Sequence, residues 1–144
     1  MKISMKELYE GKSLPIGRHP VEITVITESI DEASNESFFS CRFENYRGHI
    51  MCRFNNTERG LVQILKLFNS CGFHFDDISD KNLTLDTNDL LHKRLEINLE
   101  DQFFTNELAD EFIEIRVITE FNKLVPMFSG RGNFYHEHLL FGIR

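Results

Sequence analysis

The chain has 144 residues, 41% of them hydrophobic and 27% charged, which is enough to bury a sizeable core and is not the composition of a disordered polymer. Its formal net charge of −7 argues against generic duplex-DNA binding, which depends on neutralising phosphates. Three cysteines without a CxxC pair indicate neither a disulfide framework nor a zinc site. With no signal peptide or membrane span in view, the expectation is one cytoplasmic domain over residues 1–144, its thiols buried and reduced, with no membrane contact.

Met1–Leu14 opens the chain with a polar, mildly amphipathic segment in which Met5–Glu10 is expected to be a helix or an arm. Leu14-Pro15-Ile16-Gly17 leads into a first strand, where Val21, Ile23 and Val25 alternate with Glu22 and Thr24. Ser29–Glu36 reads as a polar loop.

Ser37–Asn55 reads as a β-hairpin with two different faces. Phe39, Cys41 and Phe43 share one face of its first strand, and Ile50, Cys52 and Phe54 one face of its second. If Cys41 lies opposite Cys52, Phe43 meets Ile50, Phe39 meets Phe54, and all six enter one core. The other face then carries Phe38, Ser40, Arg42 and Glu44 opposite Asn55, Arg53, Met51 and His49. Asn45-Tyr46-Arg47-Gly48 makes the turn, with Gly48 able to take a positive φ. A three-residue loop with a bulge at Gly48 would shift the register by one and drive Arg53 into the core, so the pattern opposes it.

Asn56 or Thr57 is placed to cap a helix with Glu58 in its first turn. Leu61, Ile64, Leu65, Phe68 and Cys71 fall on one face at helical spacing, a core-packing stripe, and Gly72 is placed to stop the helix. Phe73–Asp80 is a loop, and Asn88–Leu91 a helical turn. Leu95, Ile97 and Leu99 alternate with Glu96, Asn98 and Glu100 in a fourth strand. A polar connection over Phe104–Glu111 precedes a fifth, in which Ile113, Ile115 and Val117 alternate with Glu114, Arg116 and Ile118. After Asn122 the pattern fades through Gly130-Arg131-Gly132. The order strand, strand, strand, helix, strand, strand is that of an OB-fold barrel: a mostly β domain with one main helix, its core barrel over about 14–121 and a C-terminal arm over about 122–144.

Charge is unevenly spread. Ser37–Lys66 holds five bases and two acids, a local charge of +3, while Asp76–Glu120 holds thirteen acids and four bases, a local charge of −9. A basic, partly aromatic platform on a small barrel suits single-stranded nucleic acid. Phe38 would stack on a base, Arg42 and Arg53 would meet phosphates or bases, Tyr46 and Arg47 would extend the groove, and Met51 completes the outward set. Arg116, with Lys93 and Arg94, would border the same groove. The competing reading packs Phe38 and Met51 beneath a loop or a partner and pairs the arginines with Glu44 and other acids.

Three stretches carry a family likeness: LPIGRHPVEITVITES at the first strand, MCRFNNTERGLVQILKLFNSCGF through strand and helix, and NDLLHKRLEINLE into the fourth strand. Over Leu14–Phe121 the chain resembles phage-encoded single-stranded-DNA-binding proteins of replication and recombination modules. The family usually has Gly where His92 stands, and often an aromatic-Asn-Pro step where Asn56-Thr57-Glu58 stands. The resemblance implies a non-enzymatic protein of the bacterial host cell that coats or protects single strands, with DNA favoured, beside phage replication or recombination proteins; the residues themselves carry no 2′-hydroxyl contact that would separate DNA from RNA. Many such proteins end in an acidic tail with a terminal Phe. FYHEHLLFGIR differs from that pattern and is expected to dock on its own domain or to build a homo-oligomer.

Other chemistry has little basis. There is no Walker A loop, GxSxG, HExxH or dinucleotide fingerprint, so no enzyme and no cofactor are expected. His136 and His138 are two ligands rather than a metal site, and Asp76, Asp77 and Asp80 lack EF-hand spacing. The alternative function is an acidic protein-interaction or nucleic-acid-mimicking module acting on a host or phage protein.

Overall fold

The computed structural model describes residues 12–74, 84–106 and 111–125. The arm or helix expected at Met5–Glu10, the Asp76–Asp80 acids, Gly130–Gly132, His136 and His138, and the C-terminal arm from residue 126 onward lie outside the described residues. The elements are β1 (Gly17–Asp31), β2 (Glu36–Asn45), β3 (Gly48–Asn55), α1 (Glu58–Ser70), a 3-10 turn (Thr87–Leu90), β4 (Arg94–Asn106) and β5 (Glu111–Asn122). All five strands form one antiparallel sheet in the order β3-β2-β1-β4-β5. The fold is therefore mostly β with one main helix, in an order compatible with a five-stranded OB-like barrel opened between β3 and β5.

β1 belongs to both halves of the sheet. Gly17–Glu22 pairs with β4, and Glu22–Asp31 pairs with β2. The change of partner falls at an irregularity between Ile23 and Val25. An extra residue in one strand reverses which side chains face inward beyond it. Val21 and Ile23 are accordingly buried, Val25 is 41% exposed, and Ile26 packs on the core instead. Simple alternation through Val25 does not hold for this reason. β1 also runs into the expected loop as far as Asp31. The turn that follows is organised by the Asp31 carboxylate, whose Oδ1 accepts from the Ala33 and Ser34 backbone N–H groups at 2.9 and 3.4 Å.

The hairpin register is Cys41↔Cys52, Phe43↔Ile50 and Phe39↔Phe54, as the apolar parity requires. Asn45 and Gly48 close its two-residue turn, and Asn45 Oδ1 accepts from the Arg47 N–H at 2.8 Å. Phe39, Cys41, Phe43 and Phe54 are buried, with Ile50 and Cys52 packed beside them. Val21, Ile23, Leu95, Ile97 and Leu99 supply the core from β1 and β4, and Leu14 and Leu90 complete it.

No β3–β5 ladder occurs among the described residues. Aromatic packing closes that seam: Phe121 of β5 lies 5.7 Å from Phe54 and 6.0 Å from Phe43, ring centre to centre. β5 reaches this geometry through its own irregularity, where Asn98 pairs with Glu120 and Leu99 with Ile118. Ile118 and Phe121 thereby pack on the core, whereas Ile115, expected on the core face, is 45% exposed. β4 runs to Asn106, so the expected polar connection begins later than Phe104.

Thr57 caps α1, its Oγ1 accepting from the Gly60 N–H at 3.0 Å. The helix buries Ile64, Leu67, Phe68 and Ser70. Leu61, expected on that face, is 42% exposed, so the buried stripe is rotated toward Leu67. Gly72, at φ +100°, follows the helix end in a conformation that favours glycine.

Candidate nucleic-acid interface

Strand parity and hairpin register place the outward set in rows across β3 and β2. Asn55 stands opposite Phe38, Arg53 opposite Ser40, Met51 opposite Arg42, and His49 opposite Glu44. β1 adds a third column, with Ser29, Thr27 and Val25 opposite Phe38, Ser40 and Arg42. Met51 is 50% exposed, so with Val25 the face offers apolar as well as charged surface.

The arginines on this face are already engaged. Arg42 Nη2 donates to Glu44 Oε2 at 3.0 Å. Arg53 Nη2 donates to Asp31 Oδ2 at 3.0 Å, and its Nε donates to Asn55 Oδ1 at 2.8 Å. These contacts hold the Arg53 guanidinium carbon over the Phe38 ring, 3.7 Å from its centre. One face of that ring is thus covered by the neighbouring cation. The Asp31 carboxyl is held below its ordinary value, first by the Arg53 hydrogen bond and then by the Ala33 and Ser34 amides.

At the hairpin tip Tyr46 is 42% exposed. Arg47 is exposed too, and its guanidinium has no ion-pair partner among the described residues. The tip is anchored through Gly48, where a Cβ would collide with the Lys12 carbonyl oxygen. That close approach lets His49 exchange backbone hydrogen bonds with Lys12 and Leu14, both at 3.0 Å.

Three basic residues expected along the groove have structural work elsewhere. Arg116 makes two hydrogen bonds to the Asp101 carboxylate, at 2.8 and 3.2 Å, and a third to the Leu14 carbonyl oxygen at 2.9 Å. It ties β4 and β5 to the segment entering β1, and its hydrogen bond lowers the Asp101 pKa. Arg94 Nε donates at 3.0 Å to Glu22, a carboxylate only 6% exposed that also meets His92 Nδ1 at 3.3 Å. Burying that charge requires such partners. The Lys93 ammonium lies 5.5 Å from the centre of the Phe73 ring. Local sequence could not expose these roles, because each partner lies on a different strand or loop.

The hairpin carries Phe38, Arg42, Met51 and Arg53 along its strands and Tyr46 and Arg47 at its tip, while Arg116 is held by Asp101 and by Leu14, itself bonded to His49 of the hairpin. Sequence reasoning missed Val25 and Thr27, which join the face only because of the β1 irregularity. It also missed Asp31, which reads as a loop residue until the turn folds back onto Arg53.

Cys41, Cys52 and Cys71 are free thiols pushed up by burial to about 12, 11 and 12. They stay protonated at neutral pH and offer no activated nucleophile. No group of three or more His, Cys, Asp or Glu side chains able to hold a metal ion occurs among the described residues. No helix there is long and apolar enough to cross a membrane. No family model and no curated protein sequence matches the chain.

Proposed function

We propose that the protein binds single-stranded nucleic acid, DNA by preference, on the outer face of β2 and β3, without doing chemistry. The observation that carries this reading is the Arg53 guanidinium over Phe38, on an outward hairpin face shared with Arg42 and Met51, with Tyr46 and Arg47 exposed at the tip. OB-type barrels bind oligonucleotides on the equivalent strands. The resemblance to phage single-stranded-DNA-binding proteins points the same way, toward work in replication or recombination. His92 adds support, since it takes φ +67° where that family usually has Gly, a conformation in which glycine is favoured.

Binding proceeds by exchange of partners. The Arg53–Asp31 pair is solvent-exposed and the Arg42–Glu44 pair only part-buried, and surface ion pairs contribute little to stability, so a phosphate can replace the carboxylate at small cost. A base then stacks on the guanidinium–Phe38 layer, a contact of roughly 1–3 kcal/mol with little sequence preference. Fluorescence anisotropy with labelled oligo-dT tests the reading. The native chain binds at low salt, and Arg42→Ala with Arg53→Ala weakens binding and flattens its salt dependence while circular dichroism stays native. Equal affinity for the double variant removes the hairpin from the site.

A second reading is a protein-interaction module. It is favoured by the carboxylates already seated on Arg42 and Arg53, which show that the same face accepts acidic side chains. Absence of oligo-dT binding at low salt, where phosphate contacts are strongest, selects it.

A further inference from the structure

A cleft of about 1150 Å³ opens at the opposite end of the hairpin from the Tyr46–Arg47 tip, between the β1–β2 turn, α1 and the segment preceding the 3-10 turn. Its floor is apolar, formed by Phe39 of β2 with Ile64 and Phe68 of α1. At the rim Ile30 is 60% exposed and Leu61 42% exposed. Among the described residues, the charged side chains lining it are Glu28 and Glu32, with no Lys or Arg beside them. Glu28 is held in place by the Thr87 hydroxyl, which donates to its Oε1 and leaves Oε2 for another donor.

This lining selects among occupants. The Glu28 and Glu32 carboxylates repel phosphate, so a nucleic-acid strand is disfavoured here relative to the arginine face. A membrane with anionic headgroups is disfavoured for the same reason. An apolar floor with an acidic rim instead complements side chains that are themselves apolar and flanked by a cation. The volume suits several residues of a peptide rather than a metabolite with one or two polar groups.

We propose that this cleft is a docking site for a short peptide segment of a partner protein, with two or three aliphatic or aromatic side chains and a flanking Lys or Arg. The apolar side chains cover Ile30, Leu61, Ile64 and Phe68, and the cation pairs with Glu28 and Glu32. Phe38 lines the cleft and also carries the Arg53 guanidinium, so it stands at the border between the docking site and the arginine face. The peptide site does not depend on the nucleic-acid reading.

The test uses the full chain and two amidated synthetic peptides, one of alternating Leu pairs and Lys, the other with Glu in place of every Lys. Amide chemical-shift changes on adding the Lys peptide are expected at Ile30, Leu61 and Leu85. The Glu peptide is expected to leave those signals unmoved. Glu28→Gln with Glu32→Gln preserves the hydrogen-bond acceptor toward Thr87 and is expected to weaken the Lys peptide about three- to tenfold. The same double variant keeps its affinity for oligo-dT if that binding occurs at the arginine face. The proposal is overturned if the Lys peptide shifts signals spread over other acidic surfaces and not the cleft, or if the double variant binds it equally. It is overturned too if oligo-dT, or a second copy of the chain, produces the cleft shifts in place of the peptide.

Discussion

Gly48 stands where the hairpin tip meets the incoming chain, at φ +152°, with the Lys12 carbonyl in the space a Cβ would occupy. Both the conformation and the neighbour oppose any side chain, and the neighbour is backbone that also holds His49. Gly48→Ala is expected to destabilise by about 1–3 kcal/mol, read as a lower urea midpoint with an unchanged slope. Asp31 is the second instructive residue, since it organises the β1–β2 turn with one oxygen and holds Arg53 with the other. The Arg53 hydrogen bond, with the Ala33 and Ser34 amides, holds the Asp31 carboxyl below the ordinary aspartate range in the folded protein. A lowered pKa contributes stability that is present above the unfolded value and is lost as pH falls through the folded one. Asp31→Asn keeps the acceptor for the Ala33 amide but removes the charge. The variant is expected to show a shallower loss of stability below about pH 4 in acid titrations. The same change releases Arg53 from its carboxylate. Oligo-dT should therefore bind Asp31→Asn more tightly, and weaker binding would count against phosphate exchange at Arg53.

At the scale of elements, α1 and β1 show how neighbours select among faces that local pattern leaves equivalent. Both Leu61 and Leu67 lie on apolar arcs of the helix, yet Leu67 is fully buried and Leu61 is 42% exposed. The helix is oriented by its cap at Thr57 and by its packing on β3 and β5, neither of which helical spacing encodes. Leu67→Ala should cost about 2–5 kcal/mol, whereas Leu61→Ala should cost less than about 1 kcal/mol, in parallel denaturation curves. In the hairpin, by contrast, local pattern was sufficient. Six apolar residues of matching parity have one register that buries them all, and that register is the one formed. β1 was legible only as far as Ile23, because the irregularity that follows is set by the change of partner from β4 to β2.

Over the whole molecule, an acidic chain carries a small basic face that is partly neutralised by its own carboxylates. Three arginines, Arg42, Arg47 and Arg53, lie on the hairpin and are the cations the proposed nucleic-acid binding would use, while Arg94 and Arg116 pair with Glu22 and Asp101. Oligo-dT affinity should accordingly fall with log salt at a slope of about −2, for about three neutralised phosphates. A slope steeper than about −4 would require cations beyond the hairpin. The peptide cleft, with its two carboxylates, should show the opposite charge preference from the arginine face on the same molecule.

The sequence by itself determined the element order, the hairpin register and the outward set Phe38, Arg42, Met51 and Arg53, and narrowed the helix cap to Asn56 or Thr57. Those follow from side-chain alternation and turn chemistry, which act over a few residues. Only the tertiary structure decided that Asp31 meets Arg53, that Glu22 is buried against Arg94, that Arg116 holds Leu14, and that Phe121 closes the seam beside β3. Each of these joins residues far apart in the chain, and a charge or ring acquires its partner only when the strands curve together.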